Sequence, residues 1–111
     1  MVVGITLEPE TDRVFRALAN PTRRDIIHRV LRQGESVSSL ARRYDMSFAA
    51  VQKHVAVLER AALVTKTRSG REQIVLGHEP TLRKTTELFD AYEQIWAQRA
   101  TQIAEIIGEK G

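Results

Sequence analysis

The strongest constraint on this chain is a succession of signals between residues 36 and 77. A short helical segment, a tight connection and a second helical segment lead directly into two β-compatible runs around a Ser-Gly pair. Ser36 or Ser38 can cap the first of these helices, which ends at about Tyr44 with Val37, Leu40 and Ala41 facing inward. Asp45-Met46 makes the connection. Ser47 caps the next helix, which runs to about Ala61 or Ala62. Its apolar stripe is Val51, Val55, Leu58 and Ala62, at i, i+4, i+7 and i+11. The runs Leu63–Arg68 and Arg71–Leu76 then predict a hairpin, because Gly70 supplies the positive φ that such a turn requires.

Helical patterns flank this unit. Residues 1–10 read as an extended leader, since Pro9 discourages a helix before it. Thr11 can cap a helix from Asp12 to Ala19, with Val14, Phe15 and Leu18 at helical spacing. Asn20 and Pro21 suit the cap and first position of a second helix, which runs to about Gln33 and stops at Gly34. It would bury Ile26, Ile27, Val30 and Leu31. A last helix is expected from about Thr81 to Ile107, with Gly108 ending it. The expected architecture is mainly α with a β-hairpin wing. It is a winged helix-turn-helix in one domain over residues 1–111, with a long C-terminal dimerisation helix at 81–107.

Length and composition agree: 111 residues suit one domain, and 42% hydrophobic with 28% charged residues is ordinary for a globular fold. The chain has no cysteine, which excludes disulfides, thiolate metal sites and a cysteine nucleophile. No apolar run approaches the roughly 18 residues of a membrane helix, and Met1–Thr6 carries no charge. The expected location is cytoplasmic, with no membrane partner.

The net charge of +3 is unevenly placed. Residues 12–71 hold thirteen Lys/Arg against five Asp/Glu, whereas residues 72–111 hold four against seven. A basic segment beside an acidic tail is the footprint expected for a polyanion, because neutralised phosphates release condensed counterions. A solvated, Arg-rich surface would look the same by charge alone, so the arrangement of elements has to decide.

Around the Ser47-capped helix, the side opposite the apolar stripe presents Ala49, Gln52, Lys53, Ala56 and Arg60. Small alanines let a backbone come close to a groove and can meet thymine methyls. Gln52 pairs a donor and an acceptor that match adenine N7 and N6, and Lys53 can reach guanine or a phosphate. Ser47 and the first-turn amides offer partial positive charge to a phosphate. His54 borders the core stripe, where it can brace the helix or donate to a phosphate. Phe48 is a candidate contact too, although packing back on Tyr44 is the favoured reading. At the hairpin, Lys66, Arg68 and Arg71 gather at or near the tip, where a cationic ribbon can track the backbone or enter a minor groove. An edge hairpin made soluble by charge is the bland alternative.

With those residues in view, the chain resembles the ArsR/SmtB winged-helix transcriptional regulators. The resemblance rests on Ala17-Leu18-Ala19-Asn20-Pro21-Thr22-Arg23-Arg24, on Ser47-x-x-Ala50-Val51-x-x-His54-Val55-x-x-Leu58, and on Ala62-Leu63-Val64 with the Arg68-Ser69-Gly70-Arg71 wing. It covers roughly residues 12–107. It implies a dimeric repressor that binds operator DNA and leaves when an effector arrives. The ending Phe89-x-x-Tyr92-x-x-x-Trp96 looks like the metal-independent, SdpR-like autorepressors.

In metal-responsive members of that family, cysteines on the first recognition-unit helix or Asp/His pairs on the last helix hold the ion. The corresponding stretch here is Ser38-Ser39-Leu40-Ala41, and the last helix has no histidine. His28, His54 and His78 lie on separate expected elements, and none forms the i, i+4 pair that two imidazole ligands on a helix need. Neither a metal nor any other cofactor is expected. No nucleophile–base pairing, phosphate loop or paired catalytic carboxylates appear, so an enzyme is not expected either.

On the last helix, Leu82, Thr85, Phe89, Tyr92, Trp96, Arg99, Ile103 and Ile106 alternate in steps of three and four, the spacing of a helix-pairing seam. With Val14 on the first helix, the apolar members of this set are the expected homodimer interface. Burying the aromatic members can contribute roughly 1.5–3 kcal/mol each. Packing on the body of the same subunit and ligand binding by the aromatic cluster compete with that reading. A two-fold dimer places its reading helices about 34 Å apart, one DNA turn, and predicts an inverted-repeat site. The expected partners are therefore double-stranded operator DNA, a second copy of the chain, and a small-molecule effector of unknown identity if one exists. A winged helix that docks an acidic protein partner is the alternative function.

Overall fold

The structure, a computed structural model, describes residues 9–109. The element order is α1 (Pro9–Leu18), α2 (Pro21–Arg32), β1 (Glu35–Ser36), α3 (Val37–Tyr44), α4 (Phe48–Arg60), β2 (Val64–Ser69), β3 (Glu72–Gly77) and α5 (Glu79–Glu109). The winged helix-turn-helix expected from the sequence is present, with a long C-terminal helix. Most of the expected leader lies outside the described residues. Pro9 and Glu10, placed in that leader by the sequence, instead open α1. Proline suits a first turn because its locked φ is helical and its missing amide hydrogen would go unused there.

Local caps set the other helix starts. Asn20 accepts a hydrogen bond from the Arg23 amide at 3.0 Å, Ser36 from Ser39 at 3.0 Å, and Ser47 from Ala50 at 3.1 Å. The last carbonyls of α1 are satisfied from α2. Arg23 donates through Nε to Ala17 O at 2.6 Å and through Nη2 to Arg16 O at 3.2 Å, and Arg24 reaches Leu18 O at 2.7 Å. Two arginines thus satisfy exposed carbonyls and oppose the negative end of the helix dipole.

The sheet order is β1-β3-β2, all antiparallel. β1 was missed by sequence reasoning, because two residues show no period-2 pattern. It pairs Glu35 with Val75 and Ser36 with Ile74. Gly34 permits this approach: a Cβ there would lie 2.5 Å from Leu76 Cδ2 and 3.3 Å from Val75 O. The hairpin turns one residue later than the Ser69-Gly70 pair suggested. Ser69 pairs with Glu72, and Gly70-Arg71 form the loop. Gly70 has φ +63° while Arg71 stays negative, the sign pattern of a type II′ turn.

One core joins the elements. Ile26, Leu40, Val51, Val55, Leu58, Leu63 and Val75 are completely buried, between α1–α4 and the inner sheet face. Two expected core residues are not buried. Leu31 is 40% exposed, because it lies a third of a turn away from buried Val30. Ala62 is exposed and lies outside α4, with φ +58°. The helix closes instead through Leu63 N–H to Leu58 O (3.0 Å) and Ala62 N–H to Glu59 O (2.9 Å). That is a Schellman ending, with alanine where glycine is usual. It swings Leu63 into the core.

Pro80 sits in the first turn of α5, and Gly108 does not end the helix, which continues to Glu109. At 31 residues the helix is about 46 Å long. Only its beginning packs on the body, where Leu82 lies against the core and Thr85 is buried. Phe89 meets Phe15 of α1 edge to face at 5.6 Å between ring centres. Every residue from 89 to 108 is exposed. The radius of gyration is accordingly 19.2 Å, against about 13 Å for a compact chain of this length.

Candidate nucleic-acid interface

α4 carries the candidate surface, and its orientation follows from what it buries. Val51, Val55 and Leu58 are fully enclosed, so the opposite side faces outward. Ser47, Phe48, Ala49, Lys53 and Arg60 are exposed there, and Gln52 and Ala56 are partly covered. Phe48 is 49% exposed, and no ring pair with Tyr44 occurs among the described residues. The Ser47 hydroxyl is committed to its cap, so what it offers an anion is an ordered first turn with outward amides.

Gln52 Nε2 donates to Gln73 Oε1 of β3 at 3.3 Å. This bond ties the exposed side of α4 to the wing, and sequence reasoning missed Gln73. The only acidic residue of α4, Glu59, is neutralised by Lys66 at 3.3 Å. Lys66 was expected near the hairpin tip. It lies instead in mid-strand opposite Val75, because the two-residue loop places the tip at Gly70-Arg71. Arg68 and Arg71 are at the tip and exposed, with Arg68 Nε donating to Gly70 O at 3.3 Å. Lys53, Arg68 and Arg71 form no salt bridge among the described residues.

His54 faces α2 rather than open solvent. Its Nδ1 is 3.4 Å from Arg23 Nη1. Burial, reinforced by the Arg23 charge, holds its pKa below the usual histidine value and favours the neutral ring. The same arginine therefore ties the end of α1, the start of α2 and the middle of α4. His28 is exposed on α2, and His78 lies between β3 and α5 with its amide donating to Leu63 O at 2.8 Å.

A second brace sets α3 against α2. Tyr44 donates to Asp25 Oδ2 at 2.5 Å, and Arg29 Nε donates to the same oxygen at 3.0 Å while its guanidinium lies 5.9 Å from the Tyr44 ring centre. The Tyr44 hydrogen bond, followed by that of Arg29, lowers the Asp25 pKa. Burial, then the carboxylate, pushes Tyr44 up to about 12. No motif announces this trio, whose members are up to 19 residues apart.

The residues expected at a dimer seam divide in two. Val14 is 3% exposed and belongs to the core of its own subunit, because α1 lies with that side on α2 and α4. It does not reach a free surface, which corrects its assignment to the interface. Leu82 is partly buried against the same core. Phe89 (53% exposed), Tyr92 (38%), Trp96 (67%), Ile103 (47%) and Ile106 (58%) form the outer part of the α5 stripe.

Known proteins agree with this architecture. A family model described as a helix-turn-helix domain matches residues 18–67. The HTH-type transcriptional regulator Rv2034 of Mycobacterium tuberculosis is 33% identical over 100 residues, covering 90% of this chain and 91% of that protein. The ArsR-like transcriptional regulator from Rhodococcus sp. RHA1 superposes with a TM-score of 0.76 at 33% identity, over 87% of this chain and 92% of that one. A winged helix-turn-helix DNA-binding domain from Mycobacterium bovis, described as homodimeric, shares the fold with a TM-score of 0.63 at 22% identity, over 77% and 80%. The chain belongs to the ArsR family of winged-helix transcriptional regulators, DNA-binding proteins rather than enzymes.

Proposed function

We propose that this protein is a homodimeric, metal-independent repressor that binds an inverted-repeat operator. The observation that carries the reading is the continuous outward surface formed by α4 and the wing. Ala49, Gln52 and Lys53 lie on the helix, Gln73 joins it to the sheet, and Arg68 and Arg71 stand at the tip. In this reading Gln52, Lys53 and Ala49 read bases, while Ser47, Arg68 and Arg71 hold phosphates. His54 supports the helix from behind through Arg23, and Phe48 flanks the groove.

The second copy is argued from α5. An exposed row of Phe89, Tyr92, Trp96, Ile103 and Ile106 is more apolar surface than a monomer normally leaves open. Pairing two such helices covers it and brings two α4 helices to one side of a duplex. The M. bovis neighbour, described as homodimeric, supports a second copy. Metal independence is argued from the absence of cysteine and the separation of His28, His54 and His78.

Selection of bound fragments from a random DNA pool tests the proposal. An enriched inverted repeat with half-sites about one turn apart is the expected result. Enrichment of a single half-site, or of none, refutes it.

A further inference from the structure

A cleft between α1 and α4, which shares Arg60 with the outward side of α4, has a volume of about 460 Å³ and is lined by Arg13, Arg16, Ala17, Val57, Arg60 and Ala61. Its size falls within the roughly 300–1,000 Å³ of small-molecule sites. The space exists because Ala17 and Ala61, 0% and 5% exposed, are small residues where the two helices meet. The floor, Ala17, Val57 and Ala61, has no polar side-chain atom. The rim is cationic. Arg16 is paired with Asp12 at 2.8 Å, whereas Arg13 and Arg60 form no salt bridge among the described residues.

Two other clefts differ in this respect. One of about 370 Å³ beside α2 contains the joined pair Asp25 and Arg29, and one of about 260 Å³ beside β2 contains the joined pair Glu59 and Lys66. Both have carboxylates in their lining, which the α1–α4 cleft lacks, and Arg32 of the α2 cleft, although it forms no salt bridge among the described residues, stands beside them.

We infer that the α1–α4 cleft binds an amphipathic organic anion: a carboxylate held by Arg13 and Arg60, with a short apolar body on the Ala17–Val57–Ala61 floor. A guanidinium is weakly hydrated and offers a planar donor fork that matches a carboxylate. Burying the apolar body removes water from a surface that a bare inorganic ion would leave wet. Two of the six lining residues, Val57 and Arg60, belong to α4 and a third, Ala61, is its C-cap, so occupancy bears on the helix assigned to DNA. This coupling rests on the proposed reading of α4, whereas binding itself does not.

Isothermal titration of the full chain with sodium octanoate, 1-octanol and inorganic phosphate tests the site without DNA. Octanoate is expected to saturate at one per chain and to weaken at least fivefold in Arg60→Gln and in Arg13→Gln. Binding by Arg42→Gln, on exposed α3 surface, is expected to be unchanged. Octanol and phosphate are expected to give no saturable binding over the same range. Absence of octanoate binding, or binding indifferent to both cleft arginines, overturns the site. Phosphate binding as tight as octanoate also overturns it, by assigning the arginines to a bare anion such as a DNA backbone. Mobility shifts with and without octanoate then test the coupling, with at least a fivefold change in DNA affinity expected. An unchanged affinity overturns the coupling. Failure to shift DNA without octanoate overturns the reading of α4 instead, and leaves the titration to decide the cleft.

Discussion

Gln52 gives the sharpest test of how α4 reads DNA. Its Nε2 carries two hydrogens, and the 3.3 Å bond to Gln73 Oε1 uses one. The second hydrogen and Oε1 remain free, which is the pair adenine requires at N7 and N6. Gln73 therefore orients the amide without blocking it. Gln52→Ala is expected to lose about 1–3 kcal/mol on the preferred operator, roughly 5- to 150-fold in affinity, and to relax preference at one base pair per half-site. Gln73→Ala removes only the orienting bond, with an expected loss of about 0.5–1.5 kcal/mol. Because that effect acts through Gln52, Gln73→Ala is expected to cost nothing further in a Gln52→Ala background. Fluorescence anisotropy on a panel of operators with single substitutions, at one fixed salt concentration, measures all four proteins. Equal weakening on every sequence removes Gln52 from base reading. Additive effects of the two substitutions break the link between wing and helix.

Four further expectations follow from particular placements. Arg68→Ala at the wing tip, carried by both subunits, is expected to shallow the log–log salt dependence of DNA affinity by about two, from the slope near −7 that about four phosphate-bound cations per subunit would give a dimer, and an unchanged slope removes Arg68 from the phosphate contacts. Trp96→Asp, on the most exposed ring of the α5 row, is expected to give monomers by sedimentation velocity, and a persisting dimer moves the interface elsewhere. Ala62→Gly relieves a left-handed alanine worth about 1–2 kcal/mol but loosens the unfolded chain by about 0.4–1, so a net gain of about 0.5–1 kcal/mol is expected in thermal melts at fixed protein concentration. His54 has a lowered pKa in the folded state, so the unfolded chain takes up protons first as pH falls below about 6.5, and stability drops from there downward; His54→Gln is expected to flatten the decline in melting temperature between pH 7 and 5, and an identical decline refutes the neutral, partly buried ring.

What the sequence displayed well was whatever a few neighbouring residues decide. Asn20, Ser36 and Ser47 cap their helices through bonds three residues long, and the sequence offered each of them without knowledge of the fold, Ser36 as one of two choices with Ser38. Distant partners left no such mark. Arg23 looked like part of a motif, yet its work is to satisfy the end of α1 and to meet His54, 31 residues away. Likewise β1 exists only because β3 presents Val75 and Ile74 beside it. Ala62 shows periodicity carried one step too far. Its spacing fits the α4 stripe, but burial of Leu63 requires the chain to leave the helix first, and the larger side chain decides the geometry.

The apolar stripe of α5 sets the limit more generally. Periodicity announced the stripe from Leu82 to Ile106, because spacing at three and four records that one side will be covered. It does not record by what, since a ring shielded within its own subunit and one shielded by a second copy obey the same spacing. In the fold the stripe changes character near Phe89. Leu82 and Thr85 are covered from within, Phe89 touches Phe15 with about half its surface free, and Trp96, Ile103 and Ile106 stay exposed, outside the core cluster. Val14 errs in the opposite sense, taken for the seam although α2 and α4 already enclose it. Assigning those residues to a partner depends on knowing where the subunit's own packing stops, which is a property of the assembled helices and not of any segment of the chain.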